Sequence, residues 1–178
     1  MIINIHGLGS SGGNSKYEWL KENAAGHEIW SPTIRYEGMN AHDVLSHISD
    51  NIPNGRTGVC IIGSSLGGFF ARIINQMFQD VTAILINPAL APFIALRGVV
   101  DCQGYLEIAA RYLYSDDTNW RNLHVIAGDS DELIDHEQIT VKMLPPGFDA
   151  FHWIRGGTHQ MPVSSPEISA ILRDILAV

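Results

Sequence analysis

The sequence predicts an α/β fold: a six-stranded, mostly parallel sheet flanked by helices, in a single domain of 178 residues. Three observations predict it. Short apolar runs alternate with segments of helical period along the chain. Within the runs apolar and polar residues do not alternate, so the strands are covered on both faces, as in a parallel sheet. Finally, Gly63-Ser64-Ser65-Leu66-Gly67 stands where one such run ends and a helix opens.

The elements follow in order. Residues 2–5 form the first strand and 15–24 the first helix. Residues 28–30, ended by Ser31-Pro32, form the second strand, and 41–52 its helix. The third strand, 59–62, leads into a helix over 66–78, in which Leu66, Phe69, Phe70, Ile73, Ile74 and Met77 fall on one face. Residues 81–86, 123–127 and 151–154 supply three more strands. The last helix covers 166–176: Ser165 is its N-cap and Pro166 suits its first position.

One stretch breaks the rhythm. Residues 88–120 carry Phe93, Ile94, Tyr105 and Leu106 but no clear strand. Long insertions are commonly functional. On one reading they form a short helical lid, with Phe93 and Tyr105 contacting substrate. On the other they are a helix pair that completes the core.

Composition excludes several classes. The formal net charge is −8, and Lys16, Arg35, Arg56, Arg97 and the other cations form no cluster, which argues against a nucleic-acid partner. No run approaches the ~18 apolar residues of a membrane span, and the opening Met1-Ile2-Ile3-Asn4 lacks a basic leader. Two cysteines make no disulfide framework, and Cys60 reads as a buried, reduced thiol. The expectation is a soluble, cytoplasmic protein. No histidine pair has H-E-x-x-H spacing, so no metal or other cofactor is expected.

The turn at residues 63–67 is a G-x-S-x-G in the setting that motif requires. A nucleophile on a sharp strand-to-helix turn needs small residues two positions before and after it. For Ser65 those are Gly63 and Gly67. For Ser64 they would be Ile62 and Leu66, which are too bulky. A serine hydroxyl also needs a base, and the base an orienting acid. His159, on the Gly156-Gly157-Thr158 loop past the sixth strand, is the expected base; the other histidines read as surface or satisfied core residues, except His6. Asp129, Asp131 and Asp135 all follow the fifth strand. Asp129 suits an Asx turn and Asp135 the start of a helical segment running toward Leu144, which leaves Asp131 as the acid.

Two preorganised N–H donors must meet the oxyanion. One is expected from Leu66, at the helix N-terminus, and the other from Leu8 in the glycine-rich turn that begins at His6-Gly7. That turn lacks the spacing of a dinucleotide or Walker phosphate cradle.

At these residues the chain resembles the small bacterial esterases of the YqiA/YcfP type, within the α/β-hydrolase superfamily. The matching pieces are His6-Gly7 with nearby serines and Lys16, then Gly63-Ser64-Ser65-Leu66-Gly67-Gly68-Phe69-Phe70-Ala71. Asn87-Pro88-Ala89 with Pro92-Phe93 follows, then Asp131-Glu132 with Asp135, and Gly156-Gly157-Thr158-His159. The resemblance implies an α/β-hydrolase fold with a compact sheet. It also implies esterase or thioesterase activity, Ser65, Asp131 and His159 as a triad, and no cofactor. Residues 95–120 do not match the family's lid. The expected reaction is hydrolysis of a small-molecule carboxylic ester or acyl thioester. The alternatives are a non-catalytic α/β-hydrolase-fold binding protein, or lyase or peptidase chemistry on the same three residues.

Overall fold

The computed structural model describes residues 1–53, 58–114 and 120–178. Arg56 and residues 115–119 of the 88–120 stretch lie outside the described residues.

Among the described residues six strands form one sheet: β1 (Ile2–Ile5), β2 (Ile29–Trp30), β3 (Cys60–Ser64), β4 (Thr82–Ile86), β5 (Leu123–Gly128) and β6 (Phe151–Ile154). Their order is β2-β1-β3-β4-β5-β6, and every pairing is parallel. The helices are α1 (Ser15–Asn23), α2 (Ala41–Ser49), α3 (Leu66–Met77), α4 (Pro92–Ala95), α5 (Cys102–Tyr112) and α6 (Pro166–Leu176).

The unbroken apolar runs follow from helices on both faces. Successive strand residues point to opposite sides. Ile3, Ile61, Leu85 and Val125 join the core shared with α2, α3 and α5. Ile2, Ile62, Ile84 and Ile126 join the core shared with α1 and α6. On that second face the Trp19 indole N–H donates to Ser169 Oγ at 3.1 Å, tying α1 to α6.

Among its described residues, the stretch after β4 packs α5 onto the core. Tyr105 of α5 is 2% exposed, its ring centroid 5.3 Å from that of Phe69 and 5.6 Å from that of Phe70. Ile108 and Ala109 are buried beside it. The apolar stripe of α3 needs a covering layer on this side of the sheet, and α5 supplies it.

The helical segment expected from Asp135 toward Leu144 is irregular. It runs through turns into a short 3₁₀ helix, Val141–Met143. Three successive β-branched residues, Ile139, Thr140 and Val141, disfavour an α-helix here, and Pro145-Pro146 bars its continuation. No helix among the described residues is long and apolar enough to cross a membrane.

Candidate active site

The site lies where strand order reverses. β1 is flanked by β2 on one side and β3 on the other, so the loops leaving β1 and β3 diverge and open a crevice past their carboxyl ends. Register places Ile5 opposite Gly63, which brings the turn after β1 beside the turn after β3.

Ser65 occupies that second turn with φ 51° and ψ −120°, a left-handed conformation that favours glycine. The turn is as tight as the small-residue requirement implied. A Cβ on Gly63 would stand 2.3 Å from the Gly67 carbonyl oxygen, and one on Gly67 would stand 2.2 Å from the Ile5 carbonyl oxygen. The bend is pinned by the Ser65 amide, which donates to Ile86 O at 3.0 Å, and by its carbonyl, which accepts from Ala89 N at 3.0 Å.

Three predicted residues meet in a hydrogen-bonded row. His159 Nε2 lies 3.0 Å from Ser65 Oγ. On the other edge of the ring, His159 Nδ1 lies 2.8 Å from Asp131 Oδ2. Because a carboxylate only accepts, Nδ1 carries the proton and Nε2 offers its lone pair to Ser65. The other two aspartates are engaged elsewhere. Asp129 Oδ1 accepts from Gly156 N at 2.7 Å, and Asp135 Oδ1 caps a turn by accepting from Gln138 N at 3.0 Å. Among the described residues, Ser64 Oγ is buried without a hydrogen-bond partner.

Asp131 is held as an anion. Burial pushes its carboxyl up, but hydrogen bonds from His159 and from the Ile134 and Leu133 amides outweigh this and keep it below the usual carboxylate range. The amides donate to Oδ1 at 2.8 Å from Leu133 and 2.9 Å from Ile134.

Two contributors were not foreseen. His136, read from the sequence as a surface or satisfied core residue, is 3% exposed and places Nε2 2.9 Å from Asp131 Oδ2. Its Nδ1 faces Thr140 Oγ1 at 2.8 Å. The second is Asn87, at φ 44°. It donates to Thr158 O at 2.8 Å and His159 O at 3.0 Å and accepts from Gly128 N at 2.8 Å. One side chain thus ties the loops after β4, β5 and β6 together. Asn87 belonged to a quoted motif, but no spacing rule points to its partners.

The predicted oxyanion donors sit as follows. Leu66 opens α3, so its N–H has no intrahelical acceptor. Leu8 lines the cleft beside Ser65. The Ile34 amide donates to His6 Nε2 at 2.8 Å, so Nδ1 carries the proton and donates to Gly7 O at 2.7 Å. Across a trans peptide that clamp turns the Leu8 N–H the opposite way.

The cleft at Ser65 has a volume of about 790 Å³. Its walls come from the loop after β1, from α1 through Lys16 and Trp19, and from residues 160–164. Phe93 and Tyr105, expected to touch substrate, are not among the lining residues. Tyr105 is turned into the core against α3, and Phe93 is half-buried against the same core. Among the described residues no cluster of three or more His, Cys, Asp or Glu is placed to hold a metal ion.

A family model described as "Uncharacterised protein family (UPF0227)" matches residues 1–173. Solved structures share the fold. A Paleococcus ferrophilus monoacylglycerol lipase aligns at TM-score 0.71 and 14% identity, over 99% of this chain and 93% of that one. MGS-MChE2, an α/β-hydrolase enzyme from the metagenome of Mar Chica lagoon sediments in Morocco, aligns at TM-score 0.68 and 20% identity, over 97% and 88%. Est1E from Butyrivibrio proteoclasticus, with ferulic acid bound, aligns at TM-score 0.68 and 16% identity, over 99% and 89%.

Proposed function

The chain belongs to the family UPF0227, the YqiA/YcfP family, and has the α/β-hydrolase fold; from that premise we propose that it is a serine hydrolase of small-molecule carboxylic esters or acyl thioesters. The observation that carries this reading is the row Ser65 Oγ, His159 Nε2, His159 Nδ1, Asp131 Oδ2, with links of 3.0 and 2.8 Å.

In this mechanism His159 Nε2 takes the Ser65 hydroxyl proton as Oγ bonds to the substrate carbonyl carbon. The negative charge on the carbonyl oxygen is met by the Leu8 and Leu66 amides. His159 returns the proton to the leaving alkoxide or thiolate as that bond breaks, which leaves an acyl-Ser65 ester. Water, deprotonated by His159, then attacks the acyl carbon; Ser65 Oγ leaves and recovers the proton, and the carboxylic acid departs. Asp131 holds the imidazole in the required tautomer and stabilises its protonated form. No step in this scheme calls on a metal or other cofactor. The free thiols Cys60 and Cys102 accord with a cytoplasmic setting.

A fluorophosphonate probe read by mass spectrometry tests the reading. The expected result is a single adduct on Ser65, absent from Ser65→Ala and much reduced in Asp131→Asn. Folded wild-type protein that turns over nitrophenyl esters without labelling at Ser65 overturns it.

A further inference from the structure

The cleft at Ser65 contains a cation that nothing in the fold accounts for. Lys16, in the first turn of α1, is half-buried and lines the cleft together with Ser65 and His159. It is the only lysine or arginine among the described lining residues. Among the described residues its ammonium has no hydrogen-bond or ion-pair partner. The carboxylate two residues on does not serve it, because Glu18 pairs with Lys21 at 3.2 Å. Glu18 and Glu22, the acidic residues of the lining, are both exposed.

Each feature of that placement is unfavourable for folding alone. Burial without an anion pushes the ammonium below its ordinary value. The first turn of a helix carries the positive end of the dipole, where a cation is disfavoured. Asn14 caps that turn by accepting from Lys16 N at 2.9 Å and Tyr17 N at 3.2 Å, so the helix start needs nothing from the Lys16 side chain. Ser10 and Ser15 add hydroxyl groups to the same wall. A charge held in this way, in a cleft lined also by the reacting serine, is met when an anion enters the cleft.

We propose that the substrate of this site carries an anionic group, a carboxylate or a phosphate, that pairs with Lys16 while its ester or thioester carbonyl lies at Ser65. The proposal rests on the hydrolase reading and narrows its substrate class. Succinate, glutarate and adipate mono(4-nitrophenyl) esters are compared with 4-nitrophenyl butanoate, pentanoate and hexanoate, because the series varies the separation of carboxylate and ester carbonyl over three chain lengths. In the wild-type protein kcat/KM for at least one acidic ester should exceed that of its neutral counterpart by about tenfold or more. In Lys16→Met that ratio should fall to about one through KM, and in Lys16→Arg it should persist. Competition by glutarate and by inorganic phosphate against the neutral esters tells the two anions apart. A ratio near one at every chain length, or an equal ratio in wild type and Lys16→Met, overturns the proposal and leaves the hydrolase reading intact. If no ester is turned over, the hydrolase reading fails, and calorimetric binding of glutarate and phosphate to wild type and Lys16→Met decides the anion site. Lys16-dependent binding supports it, and absence of binding overturns it.

Discussion

The imidazole of His136 stands 2.9 Å from the carboxylate of Asp131, with both side chains 1% exposed. Asp131 Oδ2 therefore takes a hydrogen bond on each flank, from His136 and from His159. Burial lowers the proton affinity of His136, and the nearby charge of His159 lowers it further, whereas Asp131 and Asp135 raise it; burial prevails. As pH falls below the ordinary histidine value of about 6.5, the unfolded chain takes up this proton before the folded one does. The stabilisation is fully present above that value and is lost on acidification. Chemical denaturation from pH 8 to 5 should show wild-type stability falling more steeply below pH 6.5 than that of His136→Gln. One proton sets an upper limit of about 1.4 kcal/mol per pH unit on the difference in slope. Parallel curves for the two proteins would contradict the prediction.

Ser65 combines a strained backbone with its chemistry, and the two separate by substitution. Ser65→Ala should lower ester turnover by about 10³-fold or more while keeping the fold. Ser65→Gly should be just as inactive but more stable than Ser65→Ala by about 1 kcal/mol, because glycine adopts φ 51° without strain. Ser64→Ala should keep most activity. Thermal denaturation and nitrophenyl-ester kinetics on the three proteins check this, and equal stability of the Gly and Ala variants would count against a strained turn.

Asn87 makes three hydrogen bonds across three loops from a left-handed backbone. Asn87→Ala should cost about 2–4 kcal/mol of stability and lower kcat more than it raises KM, since the His159 loop loses its anchor. Asn87→Gly should recover about 1 kcal/mol of that loss through its backbone without restoring kcat. Full recovery of kcat in the glycine variant would show that the amide contacts play no part in placing His159.

Tyr105 packs against Phe69 and Phe70, away from the cleft. Tyr105→Ala should destabilise the protein by about 3–5 kcal/mol and leave the ranking of acyl-chain lengths unaltered. A changed chain-length preference, measured on a nitrophenyl-ester series, would restore this residue to the substrate pocket.

The parts of this protein that depend on neighbours in sequence could be read from the sequence. Alternation of apolar runs and helical stripes marked the strands and helices, because burial on both faces of a parallel sheet excludes polar residues from Ile61, Ile62, Ile84 and Val125 alike. The sharp turn at Ser65 was legible for the same local reason: Gly63 and Gly67 are required within four residues by contacts of the turn itself and of the adjoining strand. Tertiary structure alone decided what lies across the crevice. Lys16 lines the cleft with Ser65, 49 positions away, because the loop and helix after β1 pack beside the turn after β3, while His136 reaches Asp131 through the turns that follow β5. Tyr105 turned inward for a similar reason. An apolar aromatic can cover a core or line a pocket equally well, and the choice fell to whichever face of α3 still lacked a partner.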